Sequence, residues 1–166
     1  MLSNLDLTIL CFGLLILAAL SVYDLVKYIL PNILVGLLLF TGICFHFLTG
    51  WRFVDPYMAV SGMLMITAFL IIVREIANHL KGADVFGIGD IKLLAAGGFW
   101  TGLENIFMTL ALGSFIGLIH GLIIFCYAKY KLKKKTKLGE TRIPAGFGFS
   151  IAIAAVVFYE FIYTVY

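Results

Sequence analysis

The sequence predicts an all-α, polytopic integral membrane protein in which residues 1–166 form a single transmembrane domain. Apolar residues make up 63% of the chain, charged residues make up only 13%, and the mean hydropathy is +1.09. Several uncharged runs approach the roughly 20 residues that a helix needs to cross a bilayer. Because backbone polar groups in lipid must be paired within the chain, we expect these runs to be helices.

Six apolar runs predict about six transmembrane helices. They are expected at about residues 5–23, 32–50, 57–76, 90–100, 105–127 and 145–166. The first helix could extend to Tyr28, and Pro31 favours the start of the second, since proline is tolerated in a first helical turn. The stretches 77–89, 102–104 and 128–144 are expected to be a polar connection, a turn and a lysine-rich loop.

Positive charge is distributed unevenly between the two expected membrane faces. With six helices, eleven of the twelve Lys and Arg residues fall on one face, six of them between Lys129 and Lys137, and Arg52 is alone on the other. Cytoplasmic loops of membrane proteins carry the excess of Lys and Arg. This distribution predicts that the face with eleven basic residues lies in the cytoplasm, against anionic lipid. Both termini are then expected outside.

The composition disfavours several classes of function. Cys11, Cys44 and Cys126 lie in three different apolar runs and form no CxxC pair, so neither a zinc site nor a disulfide framework is indicated. We therefore expect no metal and no cofactor. A nucleic-acid partner is not expected either, because no soluble domain is present to bind it.

The most distinctive stretch surrounds Asp90, which follows Gly87 and Gly89 at the expected start of a helix. Glycine allows another chain to approach the backbone closely. An ionisable residue near a membrane segment is costly and is a candidate functional group. The alternative is structural, because Asp90 could simply cap the helix N-terminus.

A second acid, Asp24, is expected at the cytoplasmic end of the first helix and therefore at the same membrane depth as Asp90. Two carboxyl groups that face each other in a partly desolvated site do not easily both ionise, and they share a proton. Such a pair can activate water and polarise a carbonyl group, which is the chemistry of aspartic peptidases. The structural alternative for Asp24 is a surface pair with Lys27, one turn along.

Three segments resemble the type IV prepilin peptidases, the membrane aspartic peptidases of the Gly-x-Gly-Asp type. Asp24, Lys27 and Leu30-Pro31-Asn32 resemble the acid, the basic residue and the Pro-Asn turn of that family. The stretch from Gly87 to Leu94 is similar to its Gly-x-Gly-Asp-x-Lys-Leu motif. Residues 143–149, Ile-Pro-Ala-Gly-Phe-Gly-Phe, resemble the segment before its last helix.

The resemblance implies an endopeptidase of type IV pilus assembly or protein secretion. It would remove the short basic leader of a prepilin or pseudopilin at the cytoplasmic face, and Asp24 and Asp90 would be the catalytic pair. Supporting or substrate-binding roles would be carried by Gly87, Gly89, Lys27, Lys92, Pro31 and Asn32. Bifunctional members usually carry an insert with paired CxxC motifs, so its absence predicts a short, peptidase-only form.

Other interpretations remain open at this point. A presenilin-type protease would cut inside a substrate's membrane span, a proton-coupled transporter would use the two acids as proton carriers, and an assembly factor would need neither acid. Lys27 and Lys92 could balance the charge of the acids or simply anchor the chain at the interface. Gly113, Gly117 and Gly121 could pack within the chain or form a homo-oligomer contact.

Overall fold

The computed structural model describes residues 4–81, 87–130 and 144–165, and within these ranges every regular element is an α-helix. The helices are α1 Asn4–Lys27, α2 Asn32–Leu48, α3 Pro56–Lys81, α4 Ile88–Tyr130 and α5 Ala145–Val165. Four are long and apolar enough to cross a membrane, and α2 is a shorter apolar helix. The all-α membrane class is therefore confirmed, whereas the span count, the single domain and the side of the termini stay predictions.

The predicted fourth and fifth helices are two arms of α4. They meet at Gly102, where φ is 67° and ψ is 174°. This positive φ favours glycine, and a Cβ there would also lie 2.7 Å from Cγ1 of Val54. The expected turn at 102–104 is thus wrong in extent, because a single residue breaks the helix and Leu103 already continues it.

Helix α3 is longer than the sequence analysis predicted. It continues to Lys81, so residues 77–81 are helical and not part of a polar connection. Arg74 and Glu75, next to the expected helix end at residue 76, form an ion pair of 3.3 Å within the helix. Charged residues mark where a helix leaves the apolar layer, but they are good helix formers and do not end it. Most of the predicted lysine-rich loop, residues 131–143, lies outside the described residues.

The ring of Trp100 joins three helices in the core. Its indole Nε1 donates a 2.8 Å hydrogen bond to the carbonyl oxygen of Leu38 in α2. Gly13 in α1 and Gly42 in α2 face the ring, where a Cβ would come within 2.8 Å and 2.7 Å of it respectively. These glycines let the Trp100 ring of α4 lie directly against the backbones of α1 and α2.

Close glycine contacts join α4 to its other two neighbours. A Cβ on Gly62 of α3 would lie 2.7 Å from the carbonyl oxygen of Gly98, so α3 and α4 touch backbone to backbone. A Cβ on Gly148 of α5 would lie 2.5 Å from the carbonyl oxygen of Gly113. The glycine face of α4 therefore packs within the chain at Gly113 and Gly117, and a homo-oligomer contact stays untested. This packing brings the start of α4 and the start of α5 to the end of α1.

Candidate active site

Asp24 lies in the last turn of α1 and is only 5% exposed. Its Oδ2 accepts a 2.9 Å hydrogen bond from the backbone N–H of Phe147. Phe147 belongs to the first turn of α5, where backbone N–H groups have no partner inside the helix and favour a negative charge. The carboxyl group of Asp24 therefore accepts a hydrogen bond from the N-terminus of α5, a helix that begins more than one hundred residues later.

Asp90 is the third residue of α4. Its backbone N–H donates to the carbonyl oxygen of Gly87 at 3.2 Å, and its side chain folds back over the same glycine. A Cβ on Gly87 would lie 3.0 Å from Oδ2 of Asp90. Since the helix begins two residues earlier, Asp90 is not its N-cap residue, but its side chain still lies against the start of the helix.

The two acids meet at one cavity of about 400 Å³. Both side chains line it, and the two carboxyl groups are close enough to interact electrostatically. They come from positions 66 residues apart, one at the end of α1 and the other at the start of α4. The arrangement supplies two interacting carboxyl groups beside a space large enough for a stretch of peptide and a water molecule.

The remaining predicted site residues divide into two groups. Gly87, Gly89, Asn32 and Lys92 line the cavity with the acids. Lys92 Nζ donates a 3.0 Å hydrogen bond to Oδ1 of Asn32, which ties the start of α4 to the start of α2.

Lys27 and Pro31 are not among the residues that line this cavity. Lys27 is exposed in the last turn of α1. Pro31 is the N-cap residue of α2, with φ of −64° and ψ of 126°. The positions of Lys27 and Pro31 do not test the roles predicted for them.

Sequence reasoning missed Leu30 and Tyr28, which also line the cavity. The Leu30 side chain is buried between two glycines, because a Cβ would come within 3.3 Å of it from Gly89 and within 2.9 Å from Gly146. Tyr28 directly follows α1 and has a positive φ of 54°, a conformation uncommon for a residue with a side chain. The first resemblance segment includes Leu30, but nothing in it indicated that the side chains of Tyr28 and Leu30 line a cavity.

The third resemblance segment also belongs to the site. Besides the Phe147 amide, Gly146 faces Asp24, and a Cβ there would lie 3.0 Å from its Oδ2. His120 of α4 packs on the ring of Phe147, with ring centroids 4.9 Å apart. The start of α5 therefore contacts Asp24 directly, although none of its residues lines the acid cavity.

A second polar cavity, of about 500 Å³, lies at the opposite end of the helices. Its lining includes Asp55, Glu104 and Glu160, and Glu160 accepts a hydrogen bond from the Asn105 side chain. None of the three resemblance segments contributes to this cavity. It is therefore separate from the site that contains Asp24 and Asp90.

The chain is similar to several curated leader peptidases. A prepilin leader peptidase/N-methyltransferase of Aeromonas salmonicida is 33% identical over 131 residues, which cover 79% of this chain and 44% of the relative. Its counterpart in Burkholderia pseudomallei is 29% identical over 130 residues, or 78% of this chain and 41% of the relative. An Escherichia coli type 4 prepilin-like proteins leader peptide-processing enzyme is 29% identical over 147 residues, covering 87% of this chain and 49% of the relative.

The chain spans less than half the length of each of these curated relatives. No solved structure gives a significant match. The sequence profile described as the Type IV leader peptidase family matches residues 11–122, a range that contains both Asp24 and Asp90. The chain therefore belongs to the type IV leader peptidase family.

Proposed function

We propose that this protein is a membrane aspartic endopeptidase that removes the leader peptide from prepilin-like or pseudopilin-like proteins. The observation that carries the proposal is the cavity lined by both Asp24 and Asp90. Membership of a leader peptidase family and the names of the relatives support the same activity and substrate class. That the protein is a short, peptidase-only form remains a prediction.

Asp24 and Asp90 act as one unit that shares a proton. The ionised member takes a proton from a water molecule, whose oxygen attacks the carbonyl carbon of the scissile bond, while the protonated member donates to the carbonyl oxygen. The carbon–nitrogen bond then breaks, and a proton passes from the pair to the leaving amine. The Phe147 N–H supports this chemistry because it holds one oxygen of Asp24 in a fixed position.

The cleavage takes place at the cytoplasmic face of the cytoplasmic membrane. The acids lie at helix ends, and the basic residues Lys27 and Lys92 are found at that same end of the helices. The excess of Lys and Arg on one predicted face supports a cytoplasmic location. A presenilin-type enzyme would instead cut within the apolar span of its substrate, so the position of the cut distinguishes the two activities.

The test is incubation of the purified protein with a leader-bearing prepilin in lipid vesicles, followed by mass determination of the product. Loss of general acid–base catalysis typically costs about 10²–10⁴-fold in rate, so Asp24→Asn and Asp90→Asn should each lower cleavage by at least about 100-fold. The matched control is Asp55→Asn. Asp55 is an exposed acid at the other end of the protein, where it accepts a 2.9 Å hydrogen bond from the Tyr57 N–H.

All variants are first compared for membrane insertion and for melting temperature in detergent. Persistent cleavage by both Asp24→Asn and Asp90→Asn would exclude the acid-pair mechanism while leaving the activity intact. Failure of the unmodified protein to cleave any prepilin would exclude the proposed activity itself.

A further inference from the structure

Tyr28 occupies a backbone position that usually holds a glycine. It directly follows α1, its φ is 54°, and its backbone N–H donates a 2.9 Å hydrogen bond to the backbone carbonyl oxygen of Asp24. Many helices end with this bond and with one residue in the left-handed conformation. That residue is usually glycine, because a Cβ is strained at a positive φ. A glycine at position 28 would therefore end α1 with less strain than tyrosine does.

Trp51 has the same kind of strain but a different environment. Within the described part of the chain, Trp51 and Tyr28 are the two residues other than glycine with a positive φ, and that of Trp51 is 59°. The Trp51 ring stacks on His46 with centroids 5.7 Å apart and meets Phe99 edge-to-face at 6.3 Å. Such ring contacts stabilise the fold and offset the strain. The Tyr28 side chain makes no ring contact, ion pair or hydrogen bond with any residue that the structure describes.

The Tyr28 side chain is available to a ligand at the acid cavity. Tyr28 lines this cavity with Asp24 and Asp90, and 46% of its surface is exposed. The backbone is held on both sides of Tyr28, by the hydrogen bond to Asp24 and by the buried Leu30 side chain, which lies against Gly146. A tyrosine on a fixed backbone offers a large contact area at a small cost in side-chain entropy. Strained backbone of this kind is concentrated at functional sites.

We propose that Tyr28 is a substrate-contacting residue whose ring lies against the peptide chain next to the scissile bond. The inference rests on the proposed function, because it needs a peptide bond placed at Asp24 and Asp90. A cavity of about 400 Å³ holds only a few amino-acid residues, so the neighbours of that bond lie within reach of the Tyr28 ring. The contact with substrate, and not a contact within the protein, explains why a strained tyrosine stands where glycine would fit better.

Tyr28→Gly separates a binding role from a folding role. The melting temperature in detergent should stay unchanged or rise by up to about 4 °C, because the substitution relieves strain and removes no ring contact. The value of kcat/KM for prepilin should fall by about fivefold, mainly through KM, as expected for the loss of one ring contact. Trp51→Gly relieves the same strain but removes two ring contacts, so its melting temperature should fall. An equal fall for Tyr28→Gly would overturn the proposal.

Tyr28→Ala and Tyr23→Ala form a matched pair. Tyr23 stands five residues earlier on the chain and is also 46% exposed, but it does not line the acid cavity. Tyr28→Ala keeps the Cβ and the backbone strain, so it removes only the ring, and kcat/KM should fall by about fivefold. Tyr23→Ala, and Tyr28→Phe, which keeps the ring, should both stay within about twofold. Equal losses in the two alanine variants, or a loss in Tyr28→Phe as large as in Tyr28→Ala, would overturn the ring contact.

Photo-crosslinking tests the contact without turnover. In an Asp90→Asn background, p-azidophenylalanine replaces Tyr28 or, as the control, Tyr23, and the protein is mixed with labelled full-length prepilin in lipid vesicles. We expect about fivefold more crosslinking from position 28, through the residues next to the scissile bond. If the unmodified protein cleaves prepilin but the two positions crosslink equally, the contact proposal fails and the peptidase proposal stands. If the unmodified protein does not cleave, the peptidase proposal fails, and crosslinking alone decides whether Tyr28 contacts prepilin.

Discussion

The backbone N–H of Phe147 donates a hydrogen bond to Oδ2 of Asp24 at 2.9 Å, across a sequence separation of 123 residues. This contact fixes the end of α1 against the start of α5. It also explains why a glycine stands at position 146, since a Cβ there would come within 3.0 Å of the same carboxyl oxygen. The position of the acid thus depends on the absence of a side chain in another helix.

Gly146→Ala should lower cleavage by about tenfold or more and leave the fold intact. The added Cβ would lie 2.9 Å from Cδ1 of Leu30 and 3.0 Å from Oδ2 of Asp24, so the carboxyl group must shift. The control is Gly36→Ala in α2, where a Cβ meets nothing within 4 Å. That control should keep full activity and gain about 0.5–1 kcal/mol of stability from helix propensity. Steady-state cleavage rates and thermal unfolding in detergent check both variants, and an unaffected Gly146→Ala enzyme would contradict the prediction.

Gly62→Ala should destabilise the protein by about 1–3 kcal/mol, the usual cost of overpacking. The added Cβ would lie 2.6 Å from the carbonyl carbon of Gly102 and 2.7 Å from the carbonyl oxygen of Gly98, and backbone atoms cannot rotate away. Gly117→Ala on α4 is the matched control because its Cβ would meet nothing within 4 Å. Chemical unfolding in detergent measures the difference. Equal stability of the two variants would show that α3 and α4 separate easily.

Lys92→Met should reduce kcat/KM two- to tenfold. The ammonium group of Lys92 lines the acid cavity and donates to Asn32 at 3.0 Å, so its loss frees the start of α2 and removes a positive charge beside the acids. Lys129→Met is the control, because that exposed lysine lies near the C-terminal end of α4 over the rings of Phe125 and Tyr130. A tenfold loss in the control variant as well would indicate a general effect of charge at the membrane surface.

Ser150→Ala tests whether the buried hydroxyl of Ser150 on α5 contributes to folding. Because the hydroxyl has no partner in the described chain, its removal should leave stability unchanged or raise it by up to about 1 kcal/mol. Thermal unfolding in detergent provides the measurement. A loss of stability above about 1 kcal/mol would show that the hydroxyl contributes to folding instead.

The sequence predicted the parts of this site that carry ionisable groups or distinctive backbone residues. Asp24 and Asp90 stood out because charge is rare in apolar helices, and Gly87 and Gly89 stood out beside one of them. The proximity of Asp24 and Asp90 was predicted by counting helices, because the count puts both acids at helix ends on the same membrane face. The structure explains why a glycine stands at position 89, because Gly89 lies against the buried Leu30 side chain.

The parts that could not be predicted depend on contacts between distant helices. Any residue except proline offers a backbone N–H, so no pattern could single out Phe147 as the partner of Asp24. An apolar groove of about 580 Å³, lined by residues of α1 and α5, exists only once both helices are packed. The extent of α3 was underestimated because charged residues signal the membrane surface as readily as a helix end. The position of the break at Gly102 was predicted correctly. The sequence did not show that one residue with a positive φ would produce the break without a three-residue turn.

Helix α2 contains 17 residues and is therefore only about 26 Å long. A typical hydrocarbon layer is about 30 Å thick, so a bilayer that contacts this helix is expected to become thinner around it. Asn32, the first residue of α2, borders the acid cavity. The lipid headgroups, and the water among them, would then lie closer to the carboxyl groups, where the proposed hydrolysis needs water.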